Sequence, residues 1–264
     1  MTKTIRLLKR VPFYLLLFGL VLVTVFPFLW MISASLKYDA QVFTNPIQWI
    51  PDPINPGNYS KVWQEVPFLT FYKNTAIVAV FGTALQVLCC SLAAYAFAKL
   101  RFFGKNLLFL AFLATTMIPW HAIMLPQYIL LGQLGMTNKL STLILMQGFS
   151  AFGVFLMRQF FMGLPNELRE AGKIDGAGEL RIFLQIMLPQ ATPGLATLTI
   201  FTFIGQWNDY IAPLIYLNDP SKYTLQLGLG MFSGQYTMQY ALTMAGTVCA
   251  MVPIFIVYLI FEKQ

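Results

Sequence analysis

The sequence predicts an all-α membrane protein of six transmembrane helices, and three observations carry that prediction. Of its 264 residues, 58% are hydrophobic and only 10% charged, with a mean hydropathy of +0.66; a soluble domain of this size has about a quarter of its residues charged. The apolar residues fall into six runs near the ~20 residues that a bilayer's hydrocarbon core demands of a helix. Lysine and arginine collect in alternate connections, as the positive-inside rule requires of a chain that crosses repeatedly. Nothing in the remainder could build a separate soluble domain, so residues 1–264 are read as a single transmembrane domain.

The first run, 11–36, opens like a secretory signal, and Ser33-Ala34-Ser35 resembles a cleavage site. Its apolar core outlasts the roughly 7–15 residues of a signal peptide, which predicts an uncleaved anchor. The connection 37–73 carries Pro46, Pro51, Pro53, Pro56 and Pro67 with Trp49 and Trp63. That composition predicts an ordered, turn-rich outer cap at the membrane interface. The other runs cover 74–98, 107–131, 140–161, 191–215 and 238–261. Pro119, Pro126 and Pro253 fall inside them. A proline in a span frees backbone groups that neighbouring helices or a cavity must satisfy; packing kinks are the commoner use, a lined pathway the rarer. Gly228, Gly230 and Gly234 in the connection 216–237 let it bend.

With the N-terminus inside, Lys3, Arg6, Lys9, Arg10, Lys99, Arg101, Lys105, Arg158, Arg169, Lys173, Arg181 and Lys263 lie on the inner side. Lys37, Lys61, Lys73, Lys139 and Lys222 lie outside. Both termini are therefore predicted in the cytoplasm. The net charge of +7 is accounted for by this asymmetry, and no nucleic-acid partner is predicted. Cys89, Cys90 and Cys249 sit within apolar runs without any CxxC or Cys/His spacing, so they read as packing residues and no metal is predicted.

The inner connection 162–190 is the anomaly, a long charged segment where short connectors are usual. Asn166 is placed to cap a helix, with Glu167 and Glu170 in its first turn at the positive end of the dipole. Leu164, Leu168, Ala171 and Ile174 recur at helical spacing and predict one apolar face. Arg169 and Lys173 form another face, and Asp175-Gly176 ends the helix. A second helical run follows with Leu180, Phe183, Leu184 and Met187 on one side, and Pro189 marks its end. An interfacial helix lying on lipid would carry a strongly basic polar face; this one alternates acid with base, which suits a protein surface better.

The same residues resemble the EAA motif of ABC-importer permeases: Glu-Ala-Ala, three residues, Gly, nine residues, Ile, one residue, Leu-Pro. Here the series is Glu170-Ala171-Gly172, then Gly176, then Ile186, Met187 and Leu188-Pro189. Every spacing matches, and the one departure is Gly172 in place of Ala. Phe152–Phe161, Ile174-Asp175-Gly176-Ala177, Trp207-Asn208-Asp209 with Pro213-Leu214, and Gly234-Gln235-Tyr236 are similar to the maltose-type, carbohydrate-uptake branch. The resemblance implies a type I importer permease of the bacterial or archaeal cytoplasmic membrane. It implies a second permease of similar fold, two ATP-binding cassette ATPases and an extracytoplasmic solute-binding protein as partners. The motif would form the coupling helix, with Glu167, Glu170, Ala171, Gly172, Asp175, Gly176, Ile186, Leu188 and Pro189 serving ATPase docking. Gly234, Gln235 and Tyr236 would meet the binding protein. The cargo would be a sugar or oligosaccharide, with a glycerol phosphate or polyol as the alternative.

No GxxxxGK[ST] occurs in the sequence, so ATP and Mg are expected on the partner ATPases and no cofactor on this chain. His121 is the only histidine and has no carboxylate near it in sequence, so no acid/base cluster can be assembled and the chain is not read as an enzyme. A core hydrogen bond is the commoner role for such a histidine, a pathway role the rarer. Asp209, beside Trp207 and Asn208, reads equally as a functional buried carboxylate and as an interfacial one. Thr115, Thr116, Trp120, Gln147, Ser150, Thr202 and Gln206 lie at membrane depth. They could line a sugar pathway together with His121, Asn208 and Asp209, although helix–helix hydrogen bonding is the commoner use of such groups. An ion-coupled secondary carrier is the competing class; it would require intramembrane carboxylates, of which Asp209 is the one candidate.

Overall fold

A computed structural model of the chain describes residues 3–232 and 239–263, with residues 3–11 as backbone alone. Among these residues the regular structure is helical throughout, and the chain divides into two compact units.

The first unit comprises 1–66 and 229–251. Its α1, Lys3–Ser35, contains a stretch, Pro12–Ser35, of mean hydropathy 2.6. Side chains such as Leu16, Val23 and Leu29 stand exposed along it. Leaving each in water would forfeit ~1.5–3 kcal/mol, so this surface belongs in lipid or against another protein. The short helices α2 (Asp39–Val42) and α3 (Gly57–Glu65) follow. The predicted cap is ordered by polar links back to the end of α1. Asn58 donates to the carbonyls of Ser35 at 2.9 Å and Lys37 at 2.7 Å. The buried Lys37 ammonium donates to the Gln48 carbonyl and lies 4.2 Å from the Trp30 ring centroid. Asp39 Oδ1 accepts from the Ala241 amide at 2.8 Å near the start of the last helix, α15 (Tyr240–Phe261).

The second unit comprises 67–228 and 252–264. Its axis is α4, Phe68–Lys99, an uninterrupted helix of 32 residues. Next come α5 (Lys105–Ala114), α6 (Trp120–Gln133), α7 (Leu140–Met146) and α8 (Ala151–Gly163). The polar connection forms α9 (Glu167–Ile174), α10 (Glu179–Ile182), a π turn at Phe183–Met187 and α11 (Leu188–Gln190). Then α12 (Thr192–Trp207), α13 (Ile211–Tyr216) and α14 (Leu225–Leu229) lead to α15. Helices α7, α8 and α12 pack on α4, around a core of Cys90, Ala94, Tyr95, Val154, Met157, Phe161, Ile182, Phe183, Met187 and Leu198.

Three of the six predicted runs are single helices: Pro12–Ser35, Phe68–Lys99 and Tyr240–Phe261. The other three are broken. The run 107–131 bends by 96° between Met117 and Trp120, where Pro119 has no N–H to give and takes an extended conformation. The run 140–161 bends by 48° at Ser150, whose hydroxyl accepts from the Gly153 amide at 3.2 Å and starts α8 afresh. The run 191–215 pauses at Asn208–Tyr210, where Asp209 Oδ1 accepts from the Ala212 amide at 3.2 Å at the head of α13. The third bent pair lies at the other end of that run, where Glu179–Gln190 and Thr192–Trp207 meet at 82° across Ala191; with each bent pair counted as one span, the described residues hold up to six.

Candidate functional site

The polar connection folds as a compact knob. Gly176 adopts φ 76°, in the left-handed region that a glycine enters without steric cost. The Gly176 amide donates to the Lys173 carbonyl at 3.0 Å and the Ala177 amide to the Gly172 carbonyl at 2.9 Å. That pair of bonds is a Schellman closure, and it satisfies carbonyls that the helix end would otherwise leave open. The chain then turns back so that Glu179 receives two charges from α9. Arg169 donates to both Glu179 oxygens, through Nε at 3.1 Å, and Lys173 Nζ lies 3.0 Å from Oε1. These cations, Arg169 foremost, hold the Glu179 carboxyl far below the usual carboxylate range, at about 2.

The structure departs from three local expectations in this segment. Asn166 was the predicted cap of α9, but its backbone is helical and its side chain caps nothing. Its Oδ1 accepts instead from the buried Lys99 Nζ at 2.7 Å, a charged donor that competes successfully for the one oxygen. The second apolar face was predicted to be Leu180, Phe183, Leu184 and Met187. Ile182, Phe183 and Met187 are buried, whereas Leu180 and Leu184 are exposed. The π turn at Phe183–Met187 inserts an extra residue into the ladder and shifts the phase that a 3.6-residue period assumes. The face predicted for α9 is divided in a similar way. Leu164 and Leu168 pack inward with Gly172, while Ala171 is exposed and Ile174 is 87% exposed.

The motif residues therefore separate by direction. Gly172 faces in: a Cβ there would lie 2.8 Å from Ile186 Cδ1 and 3.0 Å from Ile182 Cγ1, so α9 approaches the second arm closely because the residue is glycine. Ile186 and Leu188 pack against the core. Glu167, Glu170, Ala171, Asp175, Gly176 and Pro189 face out, with Ile174 and Leu180 standing among them.

The second feature is a cavity of about 550 Å3 between α4, α6, α7, α8 and α12, within the size range of small-molecule sites. Of the residues read as pathway candidates, Trp120, Gln147, Ser150, Thr202, Gln206 and Asp209 line it. Thr116 is exposed and turns its hydroxyl onto its own Leu113 carbonyl. His121 is exposed and lies off the cavity wall. Asn208 is also outside, its Oδ1 accepting from Gln226 Nε2 at 3.1 Å. Gln86, Gln127, Phe149, Phe152 and Phe201 also line it, among other residues, and were missed; the available signal was an amide standing alone in an apolar run, as Gln86 does. Asp209 Oδ2 accepts from Gln147 Nε2 at 3.3 Å. Gln206 is 4% exposed, and both polar atoms of its amide lack a partner among the described residues. Four amides, hydroxyls and four aromatic rings around one space offer hydrogen bonds to hydroxyl groups and flat faces for apolar ring surfaces. Among the described residues no three His, Cys, Asp or Glu gather as a metal site would need. Gly234, Gln235 and Tyr236 lie outside the described residues.

Residues 86–263 match the family described as binding-protein-dependent transport system inner membrane component. The chain is 32% identical to the diacetylchitobiose uptake system permease protein NgcG of Streptomyces coelicolor, over 92% of this chain and 81% of that one. It is 34% identical to the arabinooligosaccharides transport system permease protein AraQ of Halalkalibacterium halodurans, over 91% and 88%. A chain in the crystal structure of a bacterial ABC transporter involved in import of the acidic polysaccharide alginate superposes with a TM-score of 0.85, at 26% identity, covering 100% of this chain and 98% of that one.

Proposed function

We infer, on the premise that the chain belongs to the family of binding-protein-dependent transport system inner membrane components, that it is the permease subunit of an ATP-driven importer of a saccharide. A second permease of similar fold would complete the pathway, two ATPases would bind ATP and Mg and drive it, and an extracytoplasmic binding protein would deliver the cargo. The loop 162–190 and both termini would face the cytoplasm, as the Lys/Arg asymmetry requires.

The observation that carries the reading is the separation of motif residues on the α9–α11 knob. Gly172, Ile186 and Leu188 fix it to the core of the second unit, while Glu170, Ala171, Ile174 and Asp175 present charge and apolar surface outward. An exposed isoleucine beside carboxylates, on an element closed by its own hydrogen bonds, is what a rigid anchor in a cleft of another protein needs. ATP-driven closure of the ATPases would move this knob, and the motion would alternate access to the pathway. The relatives' names support a saccharide cargo, and the amides, hydroxyls and rings of the cavity fit its chemistry.

The test is purification in gentle detergent with identification of co-purifying chains. ATPase stimulation by diacetylchitobiose, arabinooligosaccharides, alginate oligosaccharides and sn-glycerol 3-phosphate, each presented with the binding protein, then follows. Recovery of a Walker-motif subunit and stimulation by one of the saccharides are expected. Absence of any ATPase subunit would refute the docking role, and stimulation by the glycerol phosphate alone would refute the saccharide.

A further inference from the structure

Tyr95 and Lys99 stand one turn apart near the end of α4, and each holds a different end of the α9 knob. Tyr95 Oη donates to Glu179 Oε2 at 2.7 Å, and Glu179 in turn holds Arg169 and Lys173 of α9. Lys99 Nζ donates to the Leu164 carbonyl at 2.6 Å and to Asn166 Oδ1 at 2.7 Å, just before α9 begins. Tyr95 is 4% exposed and Lys99 9%. A single attachment point would act as a swivel, leaving α9 free to turn without moving α4. Two points, one just before α9 and one on the Glu179 that pairs with Arg169 and Lys173 along it, fix the orientation of this helix of about 12 Å as well as its position.

We propose that Tyr95 and Lys99 form a two-point clasp that passes rotation of α9 to α4, which makes both of them positioning residues for transport. The proposal rests on the reading of α9 as the element that docks on the ATPase. What α4 receives it can deliver, because it runs unbroken for 32 residues and its Gln86 lines the cavity. From Tyr95 to Gln86 is about 13 Å along the axis at ~1.5 Å per residue. A docked knob, a clasp and a rod would then connect the ATPase face to the cavity wall within one packed unit.

The test reconstitutes the complete importer in proteoliposomes, with its ATPases and binding protein. Cargo molecules moved per ATP hydrolysed are counted for Tyr95→Phe, Lys99→Gln and the double variant. The probe is the radiolabelled arabinooligosaccharide, or whichever panel saccharide stimulates ATPase most. Tyr95→Phe leaves the Glu179 pairs with Arg169 and Lys173 in place, so the knob keeps its fold and loses one attachment. The ATPases are expected to co-purify and to hydrolyse at the unaltered rate, while transport per ATP falls about threefold in each single variant and about tenfold in the double. An unaltered ratio in the double variant overturns the proposal. So does a fall of assembly, hydrolysis and transport together at constant ratio, which is what a merely structural role would give. If the double variant fails to insert, an unchanged ratio in both single variants overturns it. Failure of the unaltered chain to recover any ATPase refutes the docking reading itself, and is distinct from all of these.

Discussion

At the scale of single residues, Glu170 and Gly176 are set apart by exposure and backbone rather than by packing. Glu170→Ala removes an exposed, outward carboxylate, and Gly176→Val places a β-branched side chain at φ 76°, which costs about 1–2 kcal/mol or more. Both are expected to abolish uptake with membrane insertion intact, as read by transport assay beside quantification of inserted protein. Gln206 makes the opposite kind of case. A buried amide with no partner destabilises by ~1–3 kcal/mol, so Gln206→Leu is expected to hold or raise the melting temperature while the half-saturating cargo concentration for uptake rises about tenfold. Unchanged saturation in that variant would remove Gln206 from the pathway. The motif residues were legible because their spacing is a property of the chain itself. The cavity residues were only half legible: polarity at membrane depth pointed to Gln147, Ser150 and Gln206, but also to Thr116, whose hydroxyl is taken by its own helix.

At the scale of elements, the knob depends on Glu179, which the sequence did not mark. Its carboxyl titrates at about 2 against an ordinary 4.5 because Arg169, Tyr95 and Lys173 all stabilise the ionised form. A depressed carboxyl adds stability that is fully present above the ordinary value and is lost as pH falls through the window from about 4.5 to about 2. Melting temperature of the purified chain is expected to decline across that window, and Glu179→Gln to flatten the decline; equal slopes would exclude this ion cluster as its source. The periodicity of 162–190 gave the helix–turn–helix and its closing glycine correctly. It misassigned the second apolar face, because a π turn changes the period locally and no residue type announces one. Pro119 did announce its bend. The break at Ser150 depends on a cap that forms only when the hydroxyl meets the Gly153 amide.

At the scale of the whole molecule, the long exposed apolar surface of α1 implies apolar surroundings that the described residues do not themselves provide, lipid or another protein. Orientation is the property to measure. Single cysteines introduced at Lys139 and at Lys173, in a background lacking Cys89, Cys90 and Cys249, are expected to react with a membrane-impermeant maleimide from outside and from inside respectively. The reverse pattern would invert the topology and place the knob where no ATPase could reach it.

The sequence by itself determined the medium, the number of apolar runs, the charge asymmetry and the family-like spacing of the motif, because these follow from composition and order along the chain. Only the tertiary structure decided which motif residues point inward. It also brought Gln86, Gln127, Gln147 and Gln206 around one space, and bound the approach to α9 to Lys99 and its partner Glu179 to Tyr95. The physical reason is separation along the chain: Lys99 meets Asn166, and Tyr95 meets Glu179, across 67 and 84 residues. No local period or propensity carries that information. The polar knob at 162–190 was thus readable as a folded helical element from its own residues, whereas what it grips appears only once α4 is packed beside it.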